Sequence, residues 1–194
     1  FSTPQNFTFT DDLTSTQYGA AISLSNNGGP YIVQGVNNAG SNTWSYTTGS
    51  TVWSMYQIPT IDNDTNKEII GMYGFSGGLF CISNFDGSVK WTKSLGSSNN
   101  GTILLLDDIN FNGFIDFTLS GPQTVYRIDS KTSNILWTYS PGASFIRDID
   151  FLTDINGDEI KDIAVAMQQP GYVLVLNGAT GQQLFQFSFG TNIG

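Results

Sequence analysis

The sequence predicts an all-β, β-propeller-like fold made of four repeats of about 46–48 residues, a period typical of propeller blades. Three observations predict it. Oxygen-rich loops recur at this period, one aromatic residue per repeat recurs in phase with them, and no window shows a sustained helical apolar period. Each repeat is therefore predicted to be a four-stranded antiparallel blade with a cation-type loop between its first and second strands.

The four predicted repeats fill a single domain over residues 1–194. Their approximate bounds are 8–48, 51–95, 101–141 and 143–190. The last repeat shows the pattern best, since short β-rich runs alternate in it with polar turns. Its predicted strands lie near residues 144–149, 162–168, 172–177 and 182–187.

The clearest loop covers residues 154–162 and has the side-chain chemistry of a calcium site. Oxygen-bearing side chains stand at its positions 1, 3, 5 and 9, and a glycine stands at the bend. Ca²⁺ takes six to eight oxygen ligands from such loops, whereas Mg²⁺ demands a strict octahedron. The predicted ligands are Asp154, Asn156, Asp158 and Asp162.

Two further loops have the same spacing. The loop at residues 108–116 offers Asp108, Asn110, Asn112 and Asp116. The loop at residues 60–68 offers Thr60, Asp62, Asp64 and Glu68. In the first repeat the pattern is degenerate, because Ala20 stands at position 9. The sequence thus predicts up to three structural Ca²⁺ ions, which would hold together carboxylates that otherwise repel one another.

An aromatic residue closes the same phrase in every repeat. A β-rich run meets a polar turn, and the run after the turn ends in an aromatic residue, which is typical of a hairpin. The markers are Trp44, Trp91, Trp137 and Phe185. One aromatic at one blade position is interpreted as packing between blades.

These phrases resemble known propeller repeats. Residues 171–185 (GYVLVLNGATGQQLF) look like the repeat of PQQ-like, or quinoprotein-like, β-propellers, and the loop at 154–162 is similar to the FG-GAP (VCBS, integrin-type) repeat. The resemblance covers roughly residues 10–190 and implies the architecture. It also implies an alternative function, a fragment of a PQQ-dependent dehydrogenase. Quinoproteins of that kind have about eight blades and dedicated quinone contacts, whereas this chain has four repeats and few cationic groups.

Composition narrows the function classes. The net charge is −9, and nine of the sixteen acidic residues lie inside the three loops, so the acidity is local ligand charge. Seven basic residues without a cluster disfavour nucleic acid. No apolar run is long enough to span a membrane. The chain has no histidine, the commonest general base, so we predict a non-catalytic protein; a carbohydrate-active or carbohydrate-binding propeller is a further alternative.

Three glycosylation sequons and the calcium-type loops favour a secreted or cell-surface location. The sequons begin at Asn6, Asn63 and Asn100. We therefore predict an extracellular calcium-binding propeller that acts as an adhesion, scaffold or filament module, with a protein or glycan partner. Four blades are near the lower limit for a closed propeller. The repeats could thus belong to a longer propeller, or open blade edges could pair between subunits.

Overall fold

A computed structural model shows sixteen strands in four antiparallel sheets. It describes residues 3–10, 19–25, 31–37, 39–62, 64–74, 77–96, 101–142, 145–168 and 171–189, with backbone only for the first two ranges. Strands are the only regular elements in these ranges, and no helix there could cross a membrane. Each sheet contains four consecutive strands in chain order, so each is one blade.

The chain divides into two compact units, and the first, Phe1–Asn100, contains two blades. Blade 1 consists of β1 (Thr3–Thr10), β2 (Gly19–Ser25), β3 (Tyr31–Val36) and β4 (Asn42–Thr48). Blade 2 consists of β5 (Val52–Ile58), β6 (Glu68–Tyr73), β7 (Gly78–Ser83) and β8 (Val89–Ser94). The first blade begins at Thr3, five residues before the predicted bound.

The second unit, Gly101–Gly194, has the same plan. Blade 3 consists of β9 (Ile103–Leu106), β10 (Asp116–Ser120), β11 (Val125–Asp129) and β12 (Ile135–Tyr139). Blade 4 consists of β13 (Ile146–Phe151), β14 (Ile163–Met167), β15 (Tyr172–Leu176) and β16 (Gln183–Ser188). The prediction of one domain across both units stays a prediction.

The middle and outer strands of a blade differ in how deeply their side chains are buried. The two middle strands of blade 2 are almost wholly buried, whereas β8 alternates between exposed and half-buried residues. Middle strands covered on both faces take continuous apolar runs, and an outer strand takes alternation. Cys81, the one cysteine of the sequence, is buried on β7 and packs there as a small hydrophobic side chain.

Each unit has its own apolar core, formed where its two blades pack. The core of the first unit contains Val33, Trp44, Val52, Met55, Ile69, Phe80 and Ile82. The core of the second contains Leu106, Val125, Ile149, Ile163, Val165, Met167, Tyr172, Leu174 and Leu176.

The hairpin between the third and fourth strands of every blade closes in the same way. Its last residue has a positive φ, at Gly40 (75°), Gly87 (72°), Ser133 (60°) and Gly181 (72°). In each case the N–H of that residue donates to the carbonyl four or three residues earlier, at 2.8–3.0 Å. Three of the four are glycine, which alone adopts this conformation without steric cost.

Candidate metal centre

Each of the three predicted cation loops joins the first strand of a blade to the second, as expected. Loop 60–68 lies between β5 and β6, loop 108–116 between β9 and β10, and loop 154–162 between β13 and β14. The ninth residue of each loop is fully buried: Glu68, Asp116 and Asp162 are all 0% exposed. The loops are therefore anchored at the point where the second strand begins.

A shared hydrogen bond closes each loop into a ring. The carboxylate at position 9 accepts the N–H of the isoleucine at position 2. The donor to acceptor distances are 2.9 Å from Ile61 to Glu68, 2.8 Å from Ile109 to Asp116 and 2.9 Å from Ile155 to Asp162. A carboxylate bonded to a buried N–H makes one of the stronger hydrogen bonds in proteins. The spacing thus has a structural use even before any ion is considered.

Loop 60–68 gathers its acidic side chains. One carboxylate oxygen from each of Asp62, Asp64 and Glu68 lies within 4.8 Å of the others, the one such group of three in the described part of the chain. Thr60 Oγ1 donates to the Asp62 carbonyl at 2.9 Å. At the same place lies Lys90 of β8, whose Nζ is 2.5 Å from Asp62 Oδ2, 3.4 Å from Asp64 Oδ2 and 3.8 Å from Glu68 Oε1.

Loop 108–116 is held by a different set of contacts. Asp108 accepts the N–H groups of Asn112 (3.2 Å) and Gly113 (2.7 Å), and Asn110 Oδ1 also accepts the Asn112 N–H at 3.2 Å. The Asn112 amide donates to Asp129 in the hairpin turn at 3.0 Å. These bonds hold Asn110 and Asn112 beside Asp108. The loop therefore offers carboxylate and amide oxygens as ligands to a cation.

A buried arginine lies behind this loop. Arg127 of β11 is 0% exposed, and its Nη2 is 3.9 Å from Asp116 Oδ2 and donates to the Asp107 carbonyl. Burial raises the pKa of Asp116 to about 6, although the Ile109 N–H and Arg127 act in the opposite direction. The other carboxylate oxygen of Asp116 has no hydrogen-bond partner.

Loop 154–162 distributes its carboxylates among backbone and amide donors. Asp154 accepts the N–H groups of Gly157 (2.7 Å) and Glu159 (2.8 Å). Asp162 accepts a second N–H, from Gly178, at 3.1 Å. Each buried oxygen of Asp162 therefore has a donor, in contrast to Glu68 and Asp116.

Position 5 of the same loop is tied to the hairpin of its blade. Asp158 Oδ2 accepts amide N–H groups from Asn156 (3.0 Å) and Asn177 (2.6 Å). These hydrogen bonds, led by the one from Asn156, lower the pKa of Asp158. Sequence reasoning missed Asn177, although its equivalents in the other hairpins, Ser83 and Asp129, are also oxygen-bearing.

A buried oxygen that lacks a hydrogen-bond donor needs a positive partner, which can be a hard cation or a side-chain ammonium group. Glu68 Oε1 and Asp116 Oδ1 are such oxygens, and buried polar groups without partners are rare in native proteins. Burial raises the pKa of Glu68 to about 7, despite the Ile61 N–H and Lys90, which lower it. If Ca²⁺ were bound, the four side chains of each loop would supply oxygen ligands and the ion would keep the buried carboxylates ionised.

Lys90 was also missed, and the repeat itself contains the signal. It directly precedes the marker Trp91, where the other repeats have Thr43, Leu136 and Leu184. In every blade the residue before the marker lies where the register between the third and fourth strands shifts, as at a β-bulge. A cation at that position in only one repeat therefore indicates a partner within the blade.

The aromatic markers pack between blades within each unit. Trp44 Nε1 donates to the Asn84 carbonyl at 2.8 Å, and Trp137 Nε1 donates to the Gly178 carbonyl at 3.0 Å. In both cases the indole of one blade lies on the hairpin turn of the next. A Cβ on Gly87 would be 2.7 Å from Trp44, and one on Gly181 would be 2.6 Å from Trp137. The packing interpretation is confirmed for these two markers.

Only one of the three predicted glycosylation sites lies among the described residues. Asn6 lies on β1, where it pairs with Ser23 of β2. Asn63 and Asn100 lie outside the described residues. All three stay predictions.

A family model described as outer membrane protein assembly factor BamB, of the PQQ-like repeat type, matches residues 42–192. The chain belongs to this family. The PQQ-like part of the resemblance is thereby confirmed, whereas membership of the FG-GAP family is not shown. Among curated proteins, none matches the sequence.

Solved propeller structures share the fold at low identity. The BBS1 N-terminal region in complex with ARL6 superposes with a TM-score of 0.65 at 15% identity, covering 96% of this chain and 55% of that one. BamB from Moraxella catarrhalis gives 0.59 at 17%, covering 100% and 54%. The dihydro-heme d1 dehydrogenase NirN gives 0.65 at 11%, covering 97% and 38%.

These likenesses establish the all-β, propeller-like fold class with four blades. This chain spans about half the length of the first two structures. At such identities the likeness concerns the fold alone, so the activity and partners of those proteins are not transferred.

Proposed function

We propose that this chain is a non-catalytic, calcium-braced scaffold module that assembles with further copies of itself through the outer strand of blade 4. The observation that carries the proposal is an exposed aromatic face on β16. Phe185 and Phe187 are 47% and 54% exposed, and their ring centroids are 6.3 Å apart. Such a patch on a soluble protein typically marks a binding surface.

The strand register supports this proposal. Phe185 pairs with Val175 as Trp137 pairs with Arg127, so the two aromatics occupy the same position in their blades. On blade 3 that position is covered: Trp137 lies on the turn of blade 4, and the Tyr139 hydroxyl donates to Gln183 at 2.7 Å. Phe187 is the equivalent of Tyr139. The face of β16 thus repeats a blade-packing surface, and both of its rings are about half exposed in the part of the chain that the structure describes.

We infer that the matching surface is the hairpin turn of blade 1. Its hairpin turn ends at Gly40, where an added Cβ would meet no atom within 4 Å, whereas the equivalent Gly87 and Gly181 lie beneath tryptophans. Residues 183–188 contain no ionisable side chain, so the contact would be uncharged and centred on the two phenylalanines. Joining β16 of one copy to the turn of another is a head-to-tail contact, which propagates into a filament unless a rotation closes it.

Further support comes from the chain's relatives and loops. The BBS1 structure contains a protein partner, and the BamB family is described as an assembly factor, so protein binding has precedent in this fold. The calcium-type loops and the sequons suit an extracellular surface, where Ca²⁺ is abundant. On this proposal the ions brace blade edges and perform no chemistry.

Sedimentation over a concentration series tests the proposal. The wild-type chain should form larger species as its concentration rises, and the double variant Phe185→Ser with Phe187→Ser should remain monomeric. Phe85→Ser is the matched control, because Phe85 is 70% exposed and lies in the hairpin turn between β7 and β8. A wild-type monomer at high concentration would reject the proposed assembly.

The location and the ions have separate tests. Native protein should lose mass on glycosidase treatment if the sequons are used. Its melting temperature should fall on chelation and recover with Ca²⁺. Unchanged stability after chelation would reject the calcium brace without bearing on assembly.

A further inference from the structure

One side chain competes for the place that a metal ion would take in loop 60–68. Lys90 Nζ is within 4 Å of all three gathered carboxylates, at 2.5, 3.4 and 3.8 Å from Asp62, Asp64 and Glu68. Ca²⁺ binds oxygen at about 2.3–2.6 Å. A calcium ion in contact with Asp62 would therefore overlap the ammonium group, so the two cations exclude each other.

Burial makes this arrangement more than a surface ion pair. Glu68 is 0% exposed, and its Oε1 faces the lysine without any hydrogen-bond donor. The Lys90 side chain is itself only 19% exposed. Exposed ion pairs contribute little, but a buried carboxylate without a counter-charge is costly. The loop thus needs a cation, and β8 supplies one covalently.

Among the described residues, no lysine ammonium pairs with a carboxylate of the other two loops. The residue at the position of Lys90 is Leu136 in blade 3 and Leu184 in blade 4. Arg127 of β11 has its Nη2 at 3.9 Å from Asp116 Oδ2 and donates to the Asp107 carbonyl. The position that Lys90 fills in blade 2 is apolar in both of these blades.

We propose that Lys90 is the resident cation of loop 60–68, that it keeps this loop free of metal, and that Ca²⁺ is confined to loops 108–116 and 154–162. The metal part rests on the proposed calcium brace. The consequence is an asymmetric protein. The first unit keeps its brace at any calcium concentration, and only the second unit responds to the ion.

Native mass spectrometry of the Ca²⁺-loaded chain tests the proposal by difference. Lys90→Leu installs the residue that blades 3 and 4 carry, and it should bind one more Ca²⁺ than the wild type. Lys93→Leu removes the same charge from the same strand, on the face of the marker Trp91, and should leave the count unchanged. A wild-type count of three, or an equal count in Lys90→Leu and wild type, would overturn the proposal.

A second variant keeps the proposal testable if Lys90→Leu does not fold. Lys90→Gln keeps a hydrogen-bonding side chain of similar reach but removes the charge. Its melting temperature should fall in chelator relative to wild type and should be restored by Ca²⁺ more than that of wild type. An equal calcium response in the two proteins would contradict the inference.

The outcome separates the two proposals. If wild type binds no Ca²⁺ but Lys90→Leu binds one, the calcium brace of the other loops fails and the role of Lys90 stands. If wild type binds two and Lys90→Leu also binds two, the brace stands and the role of Lys90 fails.

Discussion

Loops 60–68 and 154–162 have the same spacing of oxygen side chains, but the negative charge of their buried carboxylate is compensated in different ways. In the first, three carboxylates converge on the Lys90 ammonium, and one buried oxygen of Glu68 has no donor. In the second, the carboxylates are dispersed, and Asp162 takes an N–H on each oxygen. A spacing of oxygen side chains therefore specifies a closed ring but not the positive partner at its centre.

The largest expected effect is the loss of unfolding free energy when the carboxylate at position 9 of a loop is removed. Comparing two loops separates the contribution of backbone hydrogen bonds from that of charge pairing. Asp162→Ala leaves the N–H groups of Ile155 and Gly178 without acceptors, and each lost buried bond costs about 1–3 kcal/mol. Glu68→Ala leaves one such N–H, and Lys90 keeps two carboxylates. In chelator, urea unfolding should show a loss of about 3–5 kcal/mol for Asp162→Ala and a clearly smaller loss for Glu68→Ala.

Asp162→Asn is the control for this pair. It retains one accepting oxygen and should recover part of the loss. If Glu68→Ala costs as much as Asp162→Ala, the difference between the loops does not lie in their backbone bonds.

The calcium response should distinguish the loops next. Saturating Ca²⁺ at about 100 times its dissociation constant stabilises a single site by about 2.7 kcal/mol. Asp154→Ala removes a ligand from loop 154–162 and should abolish that site's share of the rise in melting temperature. Asp62→Ala alters a loop that Lys90 fills, so the calcium-induced rise should match that of wild type. Calorimetric scans with and without chelator give the comparison.

The pH should change the stability that loop 60–68 contributes to the chelated protein. Burial raises the pKa of Glu68 from 4.5 to about 7, so the folded state holds its proton more tightly than the unfolded chain. The stability contributed by this group is complete below about pH 4.5 and is lost as the pH rises through about 7. Asp116, with its pKa raised to about 6, acts in the same direction.

Melting temperatures between pH 5 and 7.5 check this expectation. In chelator they should fall by a few degrees as the pH rises, and Glu68→Gln should flatten the slope. A slope that Glu68→Gln does not alter would assign the pH response elsewhere.

The smallest effect should be equal in the two units. Trp44→Phe and Trp137→Phe each remove one indole N–H bond to a turn carbonyl and keep an aromatic ring. Each should cost about 1 kcal/mol in urea unfolding, because the two indoles dock in the same way. Unequal losses would show that the units differ in blade packing as well as in their loops.

The sequence alone predicted most of the architecture. The period of the loops and markers indicated four blades, and polar turns located the hairpins, because alternation and turn chemistry are local properties. The bounds of the last blade came within two residues of β13 to β16. The packing role of Trp44 and Trp137 was also predicted from the sequence. An aromatic residue at the same position of each blade can make the same contact with the next blade.

Only the tertiary structure decided what each loop faces. Lys90 is 22 residues beyond Glu68 in the chain, yet strand pairing within blade 2 brings its ammonium into the loop. Arg127 and Asn177 likewise reach their loops from a neighbouring strand and a hairpin. A side chain's counter-charge is set by distance in space, whereas spacing along the chain fixes only the ring that the backbone closes. The sequence therefore determined three similar loops, and the sheets decided which charged and polar groups each of them faces.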